Sequence, residues 1–144
     1  MPRDDFRFSH PLRVRWAEVD PQGIVFNANY LMYFDVAATE YWRAIGCPYP
    51  GALTDRGVDT FAVKATLEFH APAHYDEDVD LLVRTTRFGR TSMRLALEVH
   101  RGDEHLVTGE LIYVVGSTAD RKPTPIPDFL RDAIIGYEHT EPES

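Results

Sequence analysis

A chain of 144 residues with 23 acidic against 15 basic side chains, formal charge −8, is a poor candidate for nucleic-acid binding. The length suits one domain with a real core and falls short of two. Hydrophobic content of 44% beside 26% charged residues is ordinary for a globular protein and names no function. No apolar run approaches the ~20 residues of a membrane span, and the charged start Met1-Pro2-Arg3-Asp4-Asp5 does not read as a signal peptide. The single cysteine, Cys47, excludes an internal disulfide and fits a reducing cytosol.

The first predicted element is a strand from Phe8 to Ala17, with Leu12, Val14 and Trp16 facing one way and Arg13 and Arg15 the other. Asp20-Pro21-Gln22-Gly23 then has turn chemistry: proline fixes φ, and glycine accepts backbone angles that other residues resist. A long helix is expected from Ala28 to Ile45, because Tyr30, Phe34, Ala37, Tyr41 and Ile45 recur at three- and four-residue steps. Asn27 or Asn29 would cap its N-terminus. Leu31, Met32, Tyr33, Val36, Ala38 and Trp42 widen the apolar face, so the helix should be largely enclosed. Gly46 and Pro48 end it.

After a turn-rich link, with one short helical turn expected over Leu53–Gly57, the period becomes two. Phe61, Val63, Ala65, Leu67 and Phe69 alternate with Thr60, Ala62, Lys64, Thr66 and Glu68, predicting a half-buried strand over Thr60–Phe69. Further strands are expected around Val79–Thr85, Met93–Val99 and Leu106–Val115, with a hairpin at Arg101-Gly102-Asp103-Glu104. A stiff Pro123–Pro127 linker, a helix over Asp128–Ile135 and a solvated tail over Glu138–Ser144 complete the chain. Strand, apolar helix, four strands points to an α+β architecture, one antiparallel sheet packed on one helix.

Asp20 is the residue with chemical promise. It sits on a loop that runs into a helix start, where free N–H groups and the helix dipole favour an oxygen that becomes negative. A carboxylate that attacks a carbonyl or activates water, beside donors for the resulting oxyanion, meets the two needs of acyl transfer. The same four residues also make an ordinary turn, in which Asp20 needs no chemical role. Glu40 would lie about 18 Å along the helix axis from its start, and pairing with Arg43 accounts for it. The six histidines read as surface or strand-end residues. Pro72 prevents His70 and His74 from sharing a regular helix face, and no cysteine or carboxylate spacing suggests a metal, so none is expected. Gly-x-Ser-x-Gly and glycine-rich phosphate loops are absent.

Asp20-Pro21-Gln22-Gly23-Ile24-Val25-Phe26-Asn27-Ala28-Asn29-Tyr30, followed by Thr39-Glu40-Tyr41-Trp42-Arg43, resembles the hotdog-fold acyl-CoA thioesterases, in particular the 4-hydroxybenzoyl-CoA and Tol-Pal-associated groups. The similarity runs from about Phe8 to Ile135. It implies a five-stranded antiparallel sheet, spatial order 1-3-4-5-2, wrapped around one central helix. It also implies hydrolysis of an acyl-CoA without metal or redox cofactor, with Asp20 as nucleophile or general base and the backbone N–H of Asn27 as oxyanion donor. Gly23 and Tyr30 would contact substrate, and Arg87 and Arg90 would hold the nucleotide phosphates. Asn27 departs from the aromatic residue or His usual at its position, which bears on acyl specificity and leaves the backbone donor intact. With the Thr60–Phe69 strand at an edge, a homodimer or homotetramer is expected. The competing readings are a hydratase or dehydratase acting on acyl thioesters, which no histidine between Val19 and Tyr41 supports, and a non-catalytic acyl-thioester binder.

Overall fold

The computed structural model describes residues 1–144. Its frame is a five-stranded antiparallel sheet, β1 (Phe8–Arg13), β2 (Val58–Phe69), β3 (Asp78–Phe88), β4 (Ser92–Arg101) and β5 (Glu104–Ser117). The spatial order is β1-β3-β4-β5-β2, as the resemblance implied. Helix α1 (Asn29–Ala44) lies on one face; α2 (Gly51–Thr54) is a single turn, and α3 (Asp128–Tyr137) follows the proline-rich linker. No helix is long and apolar enough to cross a membrane.

The helical periodicity read from the sequence is the one that is buried. Tyr30, Phe34, Ala37, Tyr41 and Ile45 all belong to the core, with Tyr33, Ala38 and Trp42 beside them. They meet the inward side chains of β3, β4 and β5, among them Val83, Leu95, Leu97, Val99 and Val107, which are sealed from solvent. The closest approach is at Gly109 on β5, where a Cβ would stand 2.1 Å from Cε2 of Phe34. Leu31, Met32 and Val36 remain exposed, contrary to the expected enclosure. One sheet of five strands covers one side of a helix, and these three lie on the other.

Two strands depart from expectation. β1 stops at Arg13, because its last partner is Asp78, the first residue of β3. The chain then turns through a 3-10 helix over Trp16–Glu18. Trp16, expected on the same face as Leu12 and Val14, is 71% exposed and stands edge-on to Tyr75 with ring centres 5.1 Å apart. On β2 a bulge falls between Ala62 and Lys64. Cross-strand partners share a face, so Thr60 and Ala62 face α1 before the bulge, and Ala65, Leu67 and Phe69 after it. Phe61 is thereby sent to the opposite face from Ala65, where its ring covers Gly116. β2 forms a sheet edge, and Val63 and Phe69 are exposed there.

The C-terminal residues are largely exposed, as expected of a solvated tail, but they are anchored to the sheet. Glu138 is buried, and its Oε2 accepts from the Tyr41 hydroxyl and from Thr85 N at 2.9 Å. Burial pushes its carboxyl above the usual range, against the lowering effect of these hydrogen bonds. Farther on, Glu143 N donates to Thr86 O (2.9 Å) and Phe88 N to Glu143 O (2.7 Å), so the tail pairs with the stretch of β3 that β1 does not reach. Cys47 is buried at the end of α1, and burial raises its thiol pKa.

Candidate active site

The Asp20 loop is built as a small closed hairpin. Asp20 N donates to Ile24 O and Gly23 N to Asp20 O, both at 2.9 Å, and Val19 pairs with Val25. Gly23 sits at φ +78°, where a side chain would be strained. Asp20 Oδ1 accepts from Gln22 N at 2.8 Å, the Asx-turn that Asp-Pro-x-Gly favours. The hairpin is fastened on both sides: Val25 N donates to Ala73 O (2.9 Å), Tyr75 N to Gly23 O (3.1 Å) and Phe26 N to Glu18 O (3.0 Å). Asp20 is half-buried, and its other carboxylate oxygen receives no hydrogen bond from the chain.

Helix α1 begins one residue later than expected, and neither asparagine caps it. Ala28 occupies the N-cap position and offers no side-chain acceptor. Asn29 instead donates from Nδ2 to Glu18 O at 2.8 Å, tying the helix start to the 3-10 turn. The first-turn N–H groups of Asn29, Tyr30 and Leu31 are taken by the carbonyls of Phe26, Asn27 and Ala28. The N–H groups of Asn27 and Ala28 find no acceptor in the chain, so two donors stand free at the head of the helix.

Beside them lies a cleft of about 260 Å³, lined among others by Ile24, Asn27, Tyr30, Phe69, His70 and Pro72. Tyr30 packs against Phe69 at 5.7 Å between ring centres, and its hydroxyl accepts from Ala73 N at 3.1 Å. Of the residues singled out from the sequence, Asn27 and Tyr30 line this cleft, whereas Asp20 and Gly23 belong to the adjoining hairpin. Arg87 and Arg90 are exposed at the β3–β4 turn. The eleven residues of β3 separate that turn from the Asp20 end of the sheet, about 30 Å at ~3.3 Å per residue. One chain does not bring the two regions together. Glu40 pairs with Arg43 at 2.6 Å, as expected.

Sequence reasoning missed Glu18. Its side chain is almost wholly buried, accepting from Arg15 N at 2.8 Å, Arg15 Nε at 2.5 Å and the Tyr33 hydroxyl at 2.9 Å. Burial alone would raise its pKa, but these donors and the guanidinium charge outweigh that and hold the carboxyl below the usual range. The available signal was the three-residue spacing of Arg15 and Glu18, which puts the two on one side of a single helical turn. Because the backbone carbonyl of Glu18 also receives Phe26 N and Asn29 Nδ2, Glu18 holds the hairpin against the helix start. Glu18→Gln should lower stability by about 1–3 kcal/mol at neutral pH. A depressed pKa contributes stability above the unfolded value, lost as pH falls through the folded one. Thermal melts of the two proteins should therefore converge in acid below the ordinary glutamate range, and a gap that persists there would contradict this role.

Of the six histidines only His100 is buried; it lies near the end of β4, which carries it onto the sheet face away from α1, where β5 sets His105 opposite it.

Residues 22–108 match the model of the thioesterase superfamily. Among curated proteins, the chain is 26% identical over 124 residues to the Escherichia coli acyl-CoA thioester hydrolase YbgC, covering 85% of this chain and 92% of that one. Among solved structures, a hypothetical protein from Aquifex aeolicus superposes with a TM-score of 0.82 at 25% identity, covering 88% of this chain and 98% of its own. The 1,4-dihydroxy-2-naphthoyl-CoA thioesterase of Synechocystis gives 0.79 at 20% identity, covering 88% and 94%.

Proposed function

Because the chain belongs to the thioesterase superfamily and is a hydrolase of thioester bonds, we propose that its substrate is an acyl-CoA and that the reaction occurs where the Asp20 hairpin meets the head of α1. The observation that supports this reading is the pair of free N–H groups at Asn27 and Ala28, where Asn27 lines an apolar cleft together with Ile24, whose carbonyl accepts from the N–H of Asp20, a residue with one uncommitted carboxylate oxygen. With the thioester carbonyl oxygen on those donors, negative charge developing on it is stabilised by groups already in position. The helix dipole acts in the same direction.

Two routes use Asp20. As general base it takes a proton from water while the water oxygen bonds to the acyl carbon. The tetrahedral oxyanion then collapses, breaking the C–S bond, and the thiolate leaves to be protonated. As nucleophile it forms an acyl anhydride with loss of the thiolate, and water then cleaves the anhydride to return the carboxylate. Neither route calls for a metal or redox cofactor. The acyl group would lie against Tyr30 and Phe69, with Gly23 shaping the hairpin that flanks it.

The chain would act as a homodimer or higher oligomer. β2 offers an open edge, and its Thr60 and Ala62 share a hollow with Asp35, Thr39 and Trp42 of α1. A two-fold pairing there would cover both. It would also let Arg87 and Arg90 of a second copy serve the CoA phosphates, which their own copy's distance disfavours. Such a protein would work in the cytoplasm, where acyl-CoA is handled. Free-thiol release from a panel of aromatic, short and long acyl-CoAs tests the reading. Turnover on at least one is expected, and release of none would leave a binder or a hydratase.

A further inference from the structure

On the sheet face away from α1, the β4–β5 hairpin gathers a carboxylate and two imidazoles. Glu98 and His100 are two residues apart on β4, and His105 is the cross-strand partner of His100. Glu98 is 3% exposed and His100 5%. His100 Nε2 lies 2.8 Å from Glu98 Oε1, and His105 Nε2 lies 3.7 Å from the same oxygen. One ligand atom from each of the three falls within 4.8 Å of the others.

No lysine or arginine pairs with Glu98. A carboxylate this deeply buried needs positive charge beside it, or its desolvation goes uncompensated. His100 turns its Nε2 toward that carboxylate, while its Nδ1 is sealed from solvent with no hydrogen-bond partner. His105 is too distant for a hydrogen bond to Glu98, and its Nε2 is already directed at Val107 O (3.0 Å) and Thr108 Oγ1 (2.9 Å). The cluster thus has a buried carboxylate with no lysine or arginine beside it and two imidazoles within reach of it.

We propose that Glu98, His100 and His105 form a binding site for a divalent transition-metal cation of the zinc type. Two imidazoles and one carboxylate suit such an ion, whereas calcium and magnesium prefer all-oxygen shells. The hairpin fixes the spacing of the three ligands, which is why linear sequence spacing does not show it. Binding displaces the proton between His100 and Glu98. It also draws His105 out of its stack on His100, where the rings lie 4.7 Å apart and nearly parallel, so that the two lone pairs can converge. The His105 side chain is 34% exposed and has room to turn. Water takes a fourth position. The role is structural, clamping β4 to β5, because none of the three ligands lines the cleft beside α1.

The test uses the whole chain, stripped with chelator and then dialysed against Zn²⁺ or Co²⁺. About one equivalent should survive gel filtration. Co²⁺ should give the intense visible bands of a four-coordinate site, and Zn²⁺ should raise Tm by several degrees. His105→Ala, at a partly exposed position that tolerates truncation, should weaken binding by more than about tenfold while keeping the native circular dichroism spectrum. His10→Ala and His139→Ala should bind as the parent does. Failure to retain Zn²⁺, equal retention by His105→Ala, or loss on removing His10 or His139 would overturn the site. Thiol release with and without Zn²⁺ should be equal; a metal-dependent rate would overturn the structural role, and neither result bears on Asp20.

Discussion

Asp20→Asn should lower kcat for thioester cleavage by about 10²–10⁴-fold, the range expected when a positioned acid–base group is removed. Asparagine is the informative replacement because its side-chain oxygen can still accept the Gln22 N–H that Oδ1 now takes at 2.8 Å. The Asx-turn survives, and so should the hairpin bonds from Asp20 N to Ile24 O and from Gly23 N to Asp20 O. Only the ability to take a proton or attack a carbonyl is lost. Melting should shift little, as for surface substitutions that keep their hydrogen bonds. Asp20→Ala removes turn and chemistry together and should add a loss of stability. If binding of the acyl-CoA is unchanged, the loss in kcat/KM should match the loss in kcat, marking an interaction made only in the transition state. A full rate in Asp20→Asn with a destabilised Asp20→Ala would leave Asp20 a turn residue and remove the mechanism.

Gly109→Ala should be among the most destabilising single changes in this chain, although it adds one methyl. The new carbon would stand 2.1 Å from Cε2 and 2.5 Å from Cζ of Phe34, where carbon atoms ordinarily settle at about 3.5–4.0 Å. Phe34 is buried at the centre of the α1–sheet contact, so the ring cannot swing away and α1 must lift. Overpacking of this kind costs about 1–3 kcal/mol and sometimes more, which for a domain of this size is a fall in Tm of roughly 3–10 °C. Phe34→Leu alone should also destabilise, by leaving a void. Combined with Gly109→Ala it should cost less than the sum of the two, with a coupling above about 1 kcal/mol from the double-mutant cycle. Strict additivity would mean that helix and ring are not in the contact described. Because Asn27 and Ala28 lie at the head of the same helix, the lifted α1 should also slow hydrolysis.

What could be read from the sequence followed from regular periods. The three- and four-residue steps from Tyr30 to Ile45 reported the buried face of α1, and the apolar residues spaced two apart in β3 and β4 reported the sheet, because those residues are dictated by one inward direction each. The reading broke where the backbone changes that direction. The bulge at Val63 reverses the faces of β2, and nothing in the alternation of Phe61, Val63 and Ala65 announces it. Trp16 continued an apolar alternation after the partner strand had run out. The solvated-tail expectation missed the anchoring because Glu138 is polar by composition, yet its neighbours Tyr41 and Thr85 lie 97 and 53 residues away in the chain and supply its hydrogen bonds.

The candidate site was legible in part for a similar reason. Asp20, Gly23, Asn27 and Tyr30 lie within one short stretch, so turn and helix-start chemistry bring them near each other. Glu18 carries no local mark beyond its spacing from Arg15, and its importance comes from the fold pressing it under Tyr33. Glu98, His100 and His105 meet only through hairpin register. Contacts made by long-range pairing leave no trace in spacing.

The seclusion of Cys47 has a practical consequence. Its sulfur is the only one in the chain able to form a disulfide, and it is enclosed with its ionisation suppressed. A colorimetric disulfide reagent added to follow coenzyme A release should therefore respond to product and ignore the enzyme. A cysteine engineered elsewhere for a spectroscopic label would then be the one that reacts, without first mutating the native residue.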